Sequence, residues 1–130
     1  MSQAEAPWRG RRYIRLTAWA ACHELVMAVY RATSEWPPDE RYGLTAQARR
    51  AAFSAAANIA QGASRGTAKQ FRRFLDVTLG SLGELGYTLL VARDVNVLPL
   101  AAYGELEALR DHAAQLTAGL FRAVRKRAEP

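Results

Sequence analysis

The chain has 130 residues, half of them apolar, and a formal net charge of +6, which together predict one globular domain with a substantial core. Its single cysteine, Cys22, excludes an internal disulfide framework and is typical of a reducing compartment, so we expect a cytoplasmic protein. The N-terminus lacks the apolar run of a signal peptide, and no uninterrupted apolar stretch approaches the roughly 20 residues of a membrane span, so we expect neither.

The first predicted helix runs from about Arg11 to Glu35, where Pro37 and Pro38 follow and prevent its continuation. Small and aliphatic residues recur in it at alternating spacings of four and three, which places them on one stripe of the helix. This stripe, the predicted buried face, consists of Ala18, Cys22, Leu25, Val29 and Ala32.

The second predicted helix runs from Leu44 to Gln61, with Thr45 as a candidate N-cap. Gly62 is predicted to end it and Gly66 to lie in the following turn. Its apolar stripe is mostly alanine, which would let a neighbouring helix approach closely. The stripe consists of Leu44, Ala48, Ala51 or Ala52, Ala55 and Ile59.

The third predicted helix begins at a capping box, Thr67 to Gln70, and carries the most regular pattern in the chain. Six successive steps of four and three residues predict packing in a bundle or coiled coil. The residues on this stripe are Phe71, Leu75, Thr78, Leu82, Leu85, Leu89 and Ala92.

Three glycines, Gly80, Gly83 and Gly86, interrupt the third helix and cost roughly 1 kcal/mol each relative to alanine. Their spacing keeps them near one another on the helix surface. We therefore expect them to permit close contact with another helix, either within the bundle or between subunits. A ligand held against the bare backbone is the alternative.

A short link at residues 96–98 precedes the fourth predicted helix, whose first turn would contain Pro99. The cations near its C-terminus complement the negative end of the helix dipole. The predicted stripe is Leu106, Leu109, Ala113, Leu116, Leu120 and Ala123, and the cations are Arg122, Arg125, Lys126 and Arg127.

Four long amphipathic helices with short links predict an all-α fold, an antiparallel up-and-down four-helix bundle. We expect the bundle to comprise residues 11–127, with loose tails at residues 1–10 and 128–130. No strand pattern, internal repeat or low-complexity linker competes with this interpretation.

The segment from Arg41 to Arg73 contains seven basic residues and no acidic residue. The rest of the chain contains the other 11 basic and all 12 acidic residues, so this one segment accounts for the net charge. Localised charge predicts an anionic partner better than dispersed charge does, although a solvated face remains the alternative. The candidate nucleic-acid-binding residues, as phosphate contacts, are Arg49, Arg50, Arg65, Lys69, Arg72 and Arg73.

No constellation of catalytic or metal-binding residues is present in the sequence. His23 and His112 lie on different predicted helices without metal-ligand spacing, and the glycines near residue 62 lack the lysine of a phosphate-binding loop. No motif for reading base edges is present either. We therefore predict no catalytic site, no cofactor, no metal and no enzymatic activity.

Several short motifs occur in a fixed order between residues 17 and 98. The sequence RYGLT at 41–45 is followed by basic and small residues and then by NIAQG at 58–62. A helix start rich in aromatic residues and a Gly-Ser-Leu motif come next. The matching positions are 23–26, 29–30, 41–45, 47, 49–52, 54, 58–62, 71–75, 80–82 and 84–85.

These motifs resemble the bacterial four helix bundle protein family, whose members are encoded in intervening sequences of 23S rRNA genes. That family is similar to the accessory variability protein of diversity-generating retroelements, a basic homopentamer that binds nucleic acid and a reverse transcriptase. The resemblance implies a homo-oligomer, with a pentamer expected, and no catalytic activity. It also implies binding of RNA or DNA, with a reverse transcriptase or another protein as a further partner.

The sequence therefore predicts a non-catalytic basic bundle that binds RNA or DNA through its basic hairpin. It would be accessory to a reverse transcriptase or another nucleic-acid enzyme, and we expect no membrane partner. Two alternatives remain open at this point. The basic face could dock an acidic protein partner, or the chain could be an insertion-encoded protein with no nucleic-acid role.

Overall fold

The computed structural model describes residues 16–128, which form four α-helices and one short 3₁₀ helix and contain no strand. Each α-helix packs against the next one in the chain, and the fourth packs against the first. This arrangement confirms the predicted four-helix bundle. The helices are α1 (Thr17–Thr33), α2 (Leu44–Ala63), α3 (Ala68–Asp94) and α4 (Leu100–Ala128), and the 3₁₀ helix is Pro38–Glu40.

Helix α1 begins at Thr17 and ends at Thr33, two residues before its predicted end. Its predicted start at Arg11 lies outside the described residues, as do both chain termini. The predicted stripe is buried except at Ala32, which is half-buried, while Ala21, Val26 and Thr33 widen the buried face. The C-terminal tail was predicted from residue 128, whereas α4 includes Ala128.

The prediction that Thr45 caps α2 is wrong. Thr45 lies inside the helix with its side chain buried, and Gly43 occupies the N-cap position. The backbone N–H of Leu44 donates instead to Glu40 Oε1 at 3.1 Å. A carboxylate from the preceding 3₁₀ helix therefore satisfies the helix start, where negative charge is favoured by the helix dipole.

Gly62 does not end α2, which continues to Ala63 with Ser64 as its C-cap. Its role is to permit close packing of α2 against α3. A Cβ atom at Gly62 would lie 2.7 Å from Phe74 Cβ and 2.8 Å from Phe71 Cδ1. No side chain fits there, so glycine is required by tertiary contact and not by a turn.

Helix α3 starts as predicted, with Thr67 Oγ1 accepting a hydrogen bond from the Gln70 backbone N–H at 3.1 Å. Its predicted stripe is buried from Leu75 to Ala92, and only Phe71 is half-exposed. By length and composition alone α3 also meets the criteria for a membrane span, the only helix in residues 16–128 to do so. The core helix of a bundle meets the same criteria, and the buried stripe of α3 packs against α2 and α4.

The turn between α3 and α4 is defined by Asn96, which has a φ of 65°. The Asn96 N–H donates to the Arg93 carbonyl at 3.0 Å and the Val97 N–H donates to the Ala92 carbonyl at 2.8 Å. This is the hydrogen-bond pattern of a Schellman motif, with asparagine in the left-handed position that glycine more often occupies. Pro99, predicted to lie in the first turn of α4, lies one residue before that helix and accepts its first hydrogen bond, from the Tyr103 N–H.

The predicted stripe of α4 is correct except at its last position, and Leu109, Leu116 and Leu120 are half-buried against the core. Leu106 and Ala113 are buried as expected, but Thr117 and Val124 are buried next, while Ala123 is exposed. A strict alternation of four and three averages 3.5 residues per turn, whereas an α-helix has 3.6. By the end of α4 the buried stripe has therefore shifted by one residue from the predicted one, from Ala123 to Val124.

Two hydrogen bonds fix the register of α2 against α3. Thr78 Oγ1 donates to the Ala55 carbonyl at 2.8 Å, and the hydroxyls of Ser54 and Ser81 lie 2.8 Å apart. Both bonds replace water contacts of buried or half-buried groups, so the helices cannot slide without leaving polar atoms unsatisfied.

Contacts of α4 place it beside both α1 and α3. Cys22 Sγ lies 4.0 Å from Thr117 Oγ1, and an Arg110 Nη atom donates to the Leu82 carbonyl at 3.4 Å. The start of α1, the α2–α3 turn and the C-terminus of α4 consequently share one end of the bundle. The α1–α2 and α3–α4 connections share the opposite end.

Candidate nucleic-acid interface

The bundle separates the six candidate residues into two groups. Arg49 and Arg50 lie in the second turn of α2, whereas Arg65 lies just beyond the C-terminus of that helix. Fifteen residues separate Arg50 from Arg65, which corresponds to about 22 Å along a helix axis. The predicted hairpin surface is therefore two surfaces, one at each end of the bundle.

Arg49 is a structural residue and not a free flanking cation. Its Nε donates to Thr33 Oγ1 at 2.8 Å, and its guanidinium carbon lies 4.5 Å from the Tyr30 ring centroid. Thr33 is buried, and its hydroxyl in turn donates to the Val29 carbonyl at 2.8 Å. Arg49 therefore joins α2 to α1, although the sequence placed it among the candidate phosphate contacts. Its neighbour Arg50 is exposed.

The other four candidates lie together at the α2–α3 turn and the first turns of α3. Arg65, Lys69 and Arg73 are exposed, and Arg72 is half-exposed. The Arg65 guanidinium lies over the Phe74 ring, 5.3 Å from its centroid. Within residues 16–128, no carboxylate lies within ion-pair distance of these four cations. They are thus available to an anionic partner.

A second basic group lies at the same end of the bundle, on the last two turns of α4. All four of its cations are exposed. From the sequence, these cations were predicted only to complement the negative end of the helix dipole. Their position beside the α2–α3 turn was not predicted. The signal that could have found them was the antiparallel pairing of α3 and α4, which places the end of one beside the start of the other. The four are Arg122, Arg125, Lys126 and Arg127.

The two ends of the bundle differ strongly in charge. We call residues 16–22, 60–76 and 117–128 the basic end, and residues 31–50 and 84–110 the linker end. The basic end contains eight cations and one acid, Asp76, a formal charge of +7. The linker end contains six cations and seven acids, a formal charge of −1. A field of one sign at one end favours an anionic partner there.

Arginines at the linker end also have partners within the fold. Arg93 pairs with Asp94 at 2.9 Å and covers the Tyr103 ring. Arg110 forms two hydrogen bonds with Glu107, which raise the pKa of its guanidinium. These are the two ion pairs found within residues 16–128.

The glycines of α3 have different surroundings. A Cβ atom at Gly86 would lie 2.9 Å from Arg110 Nε, so this glycine permits the close α3–α4 contact that was predicted. Gly80 and Gly83 face open space, with no atom of the described residues within 4 Å. They lie on the outer face of α3 with Val77 and Tyr87, which are 49% and 69% exposed. Contact within the bundle therefore explains one of the three.

Cys22 and His23, near the start of α1, both contact other side chains of the fold. Burial raises the pKa of the Cys22 thiol to about 11, although a hydrogen bond with Thr117 acts to lower it, so the thiol is protonated near neutral pH. The His23 ring stacks on Trp19 with centroids 5.1 Å apart. No group of three or more potential metal ligands occurs within residues 16–128.

A family model described as "23S rRNA-intervening sequence protein" matches residues 15–119. The match includes the α2–α3 turn and ends three residues before Arg122. No curated protein matches the chain.

Proposed function

We propose a function from one premise: the chain belongs to the 23S rRNA-intervening sequence protein family, the family that its motifs predicted. We propose that it is a non-catalytic bundle that binds the phosphate backbone of RNA or DNA. Its phosphate contacts are Arg65, Lys69, Arg72 and Arg73. One observation carries the proposal: these cations lie together without a described acidic partner, at an end with a formal charge of +7.

Cations that have no intramolecular partner gain the most binding free energy when they contact a polyanion. Each phosphate contact releases condensed counterions from the nucleic acid, so affinity is high at low salt and falls steeply as salt rises. Arg49 does not belong to this group because its guanidinium is already engaged with Thr33 and Tyr30. Arg50 is exposed but lies at the linker end, where the surrounding charge is −1.

Self-association belongs to the same proposal, with a pentamer expected from the family resemblance. Its support is the outer face of α3, where Gly80 and Gly83 leave the backbone open between the exposed side chains of Val77 and Tyr87. Small residues between apolar ones allow a second helix to approach closely. An oligomer would present several basic ends to one nucleic acid and raise affinity through multivalency. Such an assembly would serve as an accessory to a reverse transcriptase or another nucleic-acid enzyme.

The test is fluorescence anisotropy with a labelled structured RNA and a duplex DNA, measured across salt with the full chain. We expect wild type to bind and the Lys69→Glu/Arg73→Glu variant to lose at least roughly 30-fold in affinity, since two attractive contacts become repulsive. The matched control is Arg31→Glu/Arg41→Glu, which makes the same charge change at exposed positions of the linker end.

An equal loss in both variants would mean that the charge acts only in bulk, and the proposal would fail. No binding of either nucleic acid by wild type at 50 mM salt would also refute it. An acidic protein partner would then be the better explanation of the basic end. Light scattering tests the assembly, because a mass of one chain, 14.3 kDa, would contradict self-association.

A further inference from the structure

We infer that the eight cations of the basic end form one site for the phosphate backbone of a double helix, and that the last turns of α4 supply half of it. This inference rests on the proposed function. It extends that function by adding the second half of the surface and by specifying the form of the nucleic acid.

The α4 cations lie level with those of the α2–α3 turn. The Arg110 side chain donates to the Leu82 carbonyl and lies against Gly86, so Arg110 lies level with the turn from Leu82 to Gly86. Counting ten residues toward the basic end along each helix places the turn from Arg72 to Asp76 level with Leu120. Because both helices rise equally per residue, Lys69 lies level with residues 123–127, which contain Arg125, Lys126 and Arg127.

The two basic groups are close enough to act on one ligand. The axes of packed helices lie about 8–10 Å apart, which is close to the Debye length of about 10 Å at 0.1 M salt. The positive potentials of the two groups therefore add at the surface between them. Arg50 is about 22 Å from Arg65 along α2, more than two Debye lengths, and does not contribute in this way.

The aromatic side chains at this end favour contacts with backbone over contacts with bases. Proteins that bind single strands stack unpaired bases on open aromatic faces. Here the Phe74 and Phe121 rings are covered by the guanidinium groups of Arg65 and Arg125 at 5.3 and 6.0 Å. Phe71 and Trp19 are half-buried and pack against the core, and the Trp19 ring also stacks on His23.

A ligand that presents phosphates and keeps its bases stacked matches this surface. A double helix has one negative charge per about 1.7 Å of its axis, a higher density than an extended single strand, and it requires no stacking platform. Asp76 is the one described acid at this end, and it lies on the border nearest the middle of the bundle. The geometry therefore points to sequence-independent binding of duplex backbone.

The experiment measures anisotropy with three labelled probes of equal length: a 20-base-pair RNA duplex, the DNA duplex of the same sequence, and the single-stranded RNA. Salt is varied from 50 to 300 mM. The variants are a hairpin pair (Lys69→Gln/Arg73→Gln), an α4 pair (Arg122→Gln/Lys126→Gln), and the two pairs combined. Arg31→Gln/Arg41→Gln at the linker end removes the same charge and is the control, and circular dichroism checks that each variant is folded.

We expect each pair to lower the slope of log affinity against log salt by about 1.8 on duplex probes, since each lost phosphate contact removes about 0.9. The combined variant should lose about 3.6, and the control should change the slope by less than 0.5 or so. We expect wild type to bind a duplex at least several-fold more tightly than the single strand. Similar affinity for the two duplexes indicates that backbone charge alone is recognised, and preference for one duplex indicates that its groove geometry contributes as well.

Three results would overturn the inference. If the α4 pair behaves like the control while the hairpin pair weakens binding, the site lacks its α4 half, yet the proposed function stands. If the single strand binds more tightly than both duplexes, the double-helical ligand is wrong. If wild type binds no probe at 50 mM salt, the inference and the proposed function fail together.

Discussion

At the linker end, three arginines have partners within the fold. Arg49 contacts Thr33, Arg93 contacts Asp94, and Arg110 contacts Glu107. Each of these contacts joins two helices or two residues of the same helix. At the basic end, eight cations face one acid, and none of them has a carboxylate partner within residues 16–128. Three of the six arginines at the linker end therefore stabilise the fold, whereas the cations of the basic end remain available for an anionic partner.

The comparison shows that the count of cations in a segment is a weaker guide to binding than their surroundings. The segment from Arg41 to Arg73 has seven cations, but Arg49 is engaged within the fold and the linker end is close to neutral. The four α4 cations lie far beyond that segment in the sequence, yet they bring the formal charge of the basic end to +7. Three predictions sharpen the contrast between the two ends.

The largest expected effect is the loss of close packing at the basic end. Gly62→Val would place side-chain carbon within 3 Å of Phe71 and Phe74 and force α2 away from α3, lowering the free energy of unfolding by roughly 3 kcal/mol. Urea denaturation would measure the change.

The matched control is Gly66→Val in the adjoining turn, where an added Cβ meets no described atom within 4 Å. We expect this control to change stability by less than roughly 0.5 kcal/mol. Equal losses in the two variants would show that glycine at residue 62 is not required by the α2–α3 contact.

The second effect concerns the buried thiol that contacts α4 from α1. Burial raises the pKa of Cys22 from 9.0 to about 11, so the folded state holds the thiol proton at a pH where the unfolded chain has lost it. The resulting stability is fully present below pH 9 and decreases as pH rises toward 11. The free energy of unfolding of wild type should therefore fall relative to Cys22→Ala by roughly 2 kcal/mol between pH 8 and 11.

Urea denaturation of the two proteins at several pH values would test this. The difference between their free energies of unfolding cancels the contribution of the tyrosines and lysines, which titrate in both proteins. A difference that stays constant from pH 8 to 11 would mean that the Cys22 thiol ionises equally in both states. Labelling of Cys22 by a thiol reagent should likewise require unfolding at neutral pH.

The smallest effect separates two neighbouring arginines. Arg49→Ala removes a hydrogen bond to Thr33 and the contact with Tyr30, so we expect a loss of about 1–2 kcal/mol in the free energy of unfolding. Arg50→Ala, at an exposed position, should change it by less than roughly 0.5 kcal/mol.

Neither substitution should lower nucleic-acid affinity more than about threefold, because both residues lie far from the basic end. Thermal denaturation and anisotropy on the same samples would measure both properties. If Arg50→Ala greatly lowered affinity without changing stability, the linker end would be part of the binding surface. The two ends would then differ less in function than proposed here.

Much of the fold was predictable because its causes are local. The stripe of α3, its Thr67 cap and the stop of α1 before Pro37 each depend on residues within a few turns of one another. Errors arose where distant residues decided the outcome. Glu40 satisfies the start of α2 in place of Thr45, and Gly62 is required by Phe71 and Phe74.

The candidate site was predicted in part. Sequence reasoning identified Arg65, Lys69, Arg72 and Arg73 because they are neighbours along the chain and remain neighbours across a tight turn. It grouped Arg49 with them because a linear count of charge ignores the length of a helix. It missed the α4 cations because their proximity depends on the pairing of α3 with α4.

The sequence by itself determined the helices, their order, the antiparallel bundle and the family, since periodicity, caps and ordered motifs are written along the chain. Only the tertiary structure decided which arginines are engaged, which glycine is a contact point and which cations share an end. The physical reason is distance: helix formation depends on contacts a few residues apart, whereas charge and packing depend on what lies within about 10 Å in space.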